Sequence, residues 1–124
     1  MNINKIDNTN FTAGNVFLKR INSEKSIKCY DSIKKLAEDK DMDIFITKNK
    51  ETKYLPLEDM YIVIARKEIP IIERMFFRVG IITKHGTGCA ILSKKASEEE
   101  LSTNIYNATM NAIETLEKKI KDTK

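Results

Sequence analysis

Apolar residues in this chain recur with two periods, one of two residues and one of three to four, and the switches between them divide it into elements. Over residues 14–21, GNVFLKRI alternates so that Val16 and Leu18 share one side and Phe17 and Lys19 the other, the pattern of a strand. Asn22 and Ser23 then punctuate the chain. Between Ser23 and Lys40, the residues Ile27, Tyr30, Ile33, Leu36 and Ala37 recur at helical steps, which predicts an amphipathic helix capped by Ser23 or Ser26 and covering a sheet. The run DKDMD ends it, and residues 43–48 return to alternation with Ile44 and Ile46 on one side.

Residues 49–58 form a polar link containing Pro56. The next run, MYIVIAR over 60–66, is β-branched and almost continuously apolar, which predicts a central strand buried on both faces. KEIP, ending at Pro70, reads as a connection between strands, because proline has no N–H to give a ladder. The densest apolar stretch follows at 75–93. Met75, Phe77, Val79 and Ile81 alternate, Gly80 marks a bulge or a bend, His85 to Gly88 supplies a glycine-bracketed turn, and Cys89 to Leu92 resumes as the second arm of a hairpin. Ser97 with Glu100 forms a capping box for a last helix, along which Leu101, Ile105, Ala108, Ala112, Leu116 and Ile120 trace one face. Glu98, Glu99 and Glu100 sit at its positive end, and Lys118, Lys119 and Lys121 near its negative end.

These elements predict a single α+β domain over 11–124 in the order β-α-β-β-β-β-α: an antiparallel sheet of about four to five strands with two helices packed on it, behind a flexible N-terminal arm at 1–10. At 124 residues the chain can bury a core without metal or disulfide support. No apolar stretch has the length of a membrane span, and MNINKIDNTN lacks the apolar centre of a signal peptide, so a soluble cytoplasmic protein is expected. The two cysteines, Cys29 and Cys89, show no metal-ligand spacing and suit a reducing compartment as free thiols. With one histidine and no cofactor motif, neither a metal nor a cofactor is expected.

The net charge of +4 comes from 22 basic and 18 acidic residues interleaved along the chain. That interleaving argues for a solvated surface and against a nucleic-acid footprint, which clusters its basic residues. The most suggestive local chemistry is Lys84, His85, Gly86, Thr87 and Gly88, a lysine and a histidine before two glycines that flank a hydroxyl. As a loop, these residues could present N–H groups and positive charge to an anionic metabolite; as a plain hairpin turn, the glycines need only supply positive φ. His85 is the single candidate for imidazole acid–base chemistry, without a sequence neighbour to orient it.

Cys89 lies in the apolar context of Ala90, Ile91 and Leu92, which suits a small hydrophobe better than a nucleophile. Glu58 and Asp59 have no second ligand group beside them. The sequence therefore reads as a non-enzymatic binding or protein-interaction module that self-associates or docks a protein partner. The alternatives are an enzyme or ligand-binding domain holding an anionic metabolite at Lys84 to Gly88, and single-stranded nucleic acid bound on the sheet face through Arg78, Lys19 and Phe76.

Overall fold

The computed structural model describes residues 14–21, 28–49, 58–73 and 78–123, with 71–73, 78, 79 and 123 described by backbone only. In chain order these form β1 (Val16–Lys19), α1 (Tyr30–Lys40), β2 (Asp43–Lys48), β3 (Glu58–Glu73), β4 (Arg78–Ser93) and α2 (Glu98–Thr123). The strands make one sheet in the order β1-β2-β3-β4. The expected α+β class, with two helices on one sheet, is what the chain adopts. Its antiparallel character holds for β2–β3 and β3–β4, while β1 and β2 run parallel because α1 carries the chain back to the same end of the sheet.

Alternation fixes what the sheet buries. Ile44 and Ile46 on β2, Val63 and Ala65 on β3, and Ala90 and Leu92 on β4 point to one face, where they meet Ile33 and Ala37 of α1 and Ile105, Ala108, Ala112, Ile113 and Leu116 of α2. Ser97 caps α2 as its sequence predicts: its hydroxyl accepts from the Glu100 N–H at 3.2 Å and donates to the Glu100 carboxylate at 3.4 Å. The first turn of α1 has no side-chain cap, and Cys29 occupies the N-cap position. The expected caps Ser23 and Ser26, the N-terminal arm, Pro56 and Phe76 lie outside the described residues.

Three expectations change. The hairpin does not turn at His85 to Gly88: β4 runs straight through those residues, paired from Glu73↔Arg78 to Glu58↔Ser93, so the reversal falls between Glu73 and Arg78. Pro70 lies within β3 opposite Ile81, beyond Arg66, where β2 ends and, among the described residues, only β4 flanks β3; on that free side a residue without an N–H is tolerated. The register past Gly80 is unbroken, so that glycine makes no bulge. Two long strands therefore replace the three segments expected between Met60 and Leu92.

Gly86 and Gly88 are glycines for a reason other than a turn. A Cβ on Gly86 would lie 2.1 Å from the Ala112 carbonyl oxygen and 2.5 Å from the Leu116 nitrogen, and one on Gly88 would lie 2.0 Å from the Ala108 oxygen. The backbone of α2 rests directly on the backbone of β4, with small residues on both sides of the contact. The Lys119 ammonium donates to the His85 carbonyl at 2.8 Å and ties the end of α2 to the same strand.

Candidate interaction surface

A further correction concerns β3 and defines the surface. Residues 60–66 were expected to be buried on both faces, yet both helices cover the same side. Tyr61, Val63 and Ala65 are buried there, while Met60, Ile62 and Ile64 on the other side are only half-buried by their strand neighbours. The register sets them in rows across the sheet. Phe17, Phe45, Ile64 and Thr87 form one row; Lys19, Thr47, Ile62 and Cys89 form the next; Met60 and Ile91 follow. Phe17 is 46% exposed and Ile91 51%, which is high for side chains of that size.

One end of this face is pinned by charge. Asp43 accepts from the Asn15 N–H at 3.2 Å and from Arg66 at 3.3 Å, so a single carboxylate holds the entry to β1 and the edge of the apolar rows. The Arg66 guanidinium lies 5.4 Å from the centre of the Phe45 ring, and Phe45 stacks on Phe17 at 4.8 Å. At the opposite end stands Glu58, exposed at the start of β3. Lys48 and Asp59 pair at 3.6 Å on the helix side of the sheet.

Two further apolar features border the face. Among the described residues no strand pairs with the outer edge of β4. Beyond Arg66 and His85 the hairpin continues as a two-stranded ribbon, with no third strand beside it among the described residues, carrying Ile69 and Ile82 half-exposed and Ile81 59% exposed.

Lys84, His85, Gly86, Thr87 and Gly88 do not converge. As strand residues they alternate: Lys84, Gly86 and Gly88 face α2, while His85 and Thr87 are exposed on the open side. The loop that an anion cradle requires is absent from this position, and the space above both glycines is filled by α2. Of the residues expected to contact nucleic acid, Lys19 is exposed on the open face and Arg78 is described by backbone only.

A surface hollow of about 540 Å³ opens on the helix side, with Lys28, Cys29, Ser102 and Tyr106 among its lining residues. The Lys28 N–H donates to the Ser102 hydroxyl at 2.8 Å and the Cys29 thiol donates to the Ser102 carbonyl at 3.2 Å. Burial pushes the Cys29 thiol up, against the smaller lowering effect of its hydrogen bonds, so it remains protonated at neutral pH and reacts poorly. Cys89 is exposed. In dilute protein a maleimide should therefore label Cys89 about tenfold faster than Cys29 or more, read by peptide mass spectrometry; equal rates would contradict this placement of the two thiols.

Among the described residues no group of three or more His, Cys, Asp or Glu side chains could hold a metal, and no helix is long and apolar enough to cross a membrane. No protein-family model matches the chain, and no curated protein matches it. Among the described residues the chain forms a two-layer α+β fold with both helices on one side of the sheet and no element covering the apolar face on the other.

Proposed function

We propose that this protein is a non-enzymatic interaction module that docks a protein chain on the uncovered face of its sheet. The observation that carries the reading is β3. Its run MYIVIA has the composition of a strand covered on both sides, and the chain's own helices supply cover for one. A second protein layer completes the sandwich at the usual sheet-to-sheet spacing of about 10 Å. The chemistry of the face favours protein over nucleic acid. Its centre is aliphatic, its aromatic rings are stacked on each other, and its arginine is engaged by Asp43. The two unpaired thiols suit a cytoplasmic setting.

Native mass spectrometry of gently purified protein, alone and after passage over host extract, tests the reading. The wild-type chain should carry a bound protein mass, either its own or a partner's. Ile91→Asp places a charge at an exposed position of the face, so it should abolish that complex while shifting the melting temperature by no more than about 3 °C. A complex that survives Ile91→Asp unchanged, together with the same result for Phe17→Asp, would reject the face as the docking surface.

A further inference from the structure

We infer that the occupant of this face is a second copy of the same chain, packed face to face about a two-fold axis that passes over Ile62. This rests on the docking reading above and adds the identity and orientation of the partner. Over Glu58 to Arg66, the part of β3 that lies over the apolar rows, the outward side chains read Glu58, Met60, Ile62, Ile64, Arg66: an acid, three apolar residues, a base, with Glu68 following on the ribbon beyond. That order is antisymmetric in charge about its centre. A two-fold axis running across the strands at the Ile62 row stacks β3 on the partner's β3 in the opposite direction. It sets Glu58 of each copy over Arg66 of the other, Ile64 over Met60, and Ile62 over itself. The interface is self-complementary, as a closed dimer requires.

The rest of the face agrees with this placement. The row through Ile62 also carries Cys89, so the same axis brings the two Cys89 residues together. Thr87 falls over Ile91, and Lys19 on the outermost strand meets its copy only at the solvent rim, where its stem can carry the charge outward. At about 4.8 Å between strands and about 3.3 Å per residue, the rows from Arg66 to Glu58 present a face of roughly 20 by 25 Å; two such faces remove on the order of 1,000 Å² from water, the lower threshold for a biological interface.

The experiment exchanges charges between copies. One variant is Glu58→Arg. The other is Arg66→Glu combined with Asp43→Asn, so that the new carboxylate is not set against Asp43 while the acceptor for Asn15 remains. Each variant alone opposes like charges at both ends of the interface, and its dimer constant, measured by sedimentation equilibrium, should weaken about tenfold or more. An equimolar mixture restores opposite charges at both contacts and should recover dimer to within about threefold of wild type. A short bis-maleimide should also join two wild-type chains through Cys89, and Cys89→Ser should prevent it.

Wild-type dimer whose strength ignores both charge variants would overturn the two-fold arrangement, even with Cys89 crosslinked, and would point to pairing along the β4 edge. The docking reading would then still stand or fall on Ile91→Asp. A wild-type chain that stays monomeric at its highest soluble concentration would overturn the second copy as occupant, leaving a different protein for the same face.

Discussion

Replacing Gly88 with alanine should cost about 3 kcal/mol of stability, measured as a shifted urea midpoint at unchanged slope. The methyl group would stand 2.0 Å from the carbonyl oxygen of Ala108 and 2.8 Å from its carbonyl carbon. Both are backbone atoms in the middle of a helix, so no rotamer change relieves the clash, and α2 must lift from β4 along several residues. Gly86→Ala repeats the conflict one contact further on, against Ala112 and Leu116. Elsewhere in a strand, glycine to alanine ordinarily stabilises by roughly 0.5–1 kcal/mol, so even the sign of the result is diagnostic. A neutral or stabilising outcome at both positions would mean that α2 does not rest on these glycines.

Val63→Asp and Ile62→Asp, one residue apart on β3, should differ sharply in their effects. Val63 is fully buried between β3 and the helices, within a core that offers no basic side chain to a carboxylate. Aspartate there should cost about 4 kcal/mol or more and leave little folded protein at ambient temperature. Ile62 points to the uncovered face, where an aspartate is hydrated as long as the chain is alone. It should cost the isolated fold no more than about 1 kcal/mol and remove association altogether. Chemical denaturation followed by sedimentation separates the two effects. Equal destabilisation at both sites would show that the second face of β3 is covered within the chain itself.

Much of the fold is legible in the sequence, and the exceptions have one physical cause. α2 can be read because three independent signals agree: the Ser97 cap, the helical spacing of Leu101 to Ile120, and charges placed to suit the dipole. β1 and β2 can be read because Val16, Leu18, Ile44 and Ile46 alternate strictly. Glycine carries no such unique meaning. At Gly86 and Gly88 the missing side chain admits a helix, where the local sequence invites a turn, and only the positions of Ala108 and Ala112 on a distant element tell the two apart. Pro70 is ambiguous in the same way, because its tolerance depends on β2 ending at the Arg66 pair.

The candidate surface was present in the sequence as the doubled apolarity of 60–66, but hydrophobicity measures the need for cover and not its source. Phe17 and Phe45 could be assigned to the outward side of their strands by alternation; that they stack required the parallel register of β1 on β2. Their part in the surface became visible only once both helices were found on the opposite face.

β3 and β4 are each long enough to belong to two mechanical regimes. From Tyr61 to Arg66, β3 is zipped on both sides and clamped under α2; past Lys67, whose ammonium donates to the Lys40 carbonyl at 3.3 Å, Glu68 to Glu73 pair, among the described residues, with β4 alone. An isolated two-stranded ribbon is marginally stable in water, so the outer part opens without unfolding the rest. Amide protons of one continuous strand should therefore exchange with solvent on a gradient, slowest near Val63 and fastest toward Glu73. The protein would melt from the far end of its hairpin inward, with the glycine contacts beneath α2 as the point where fraying stops.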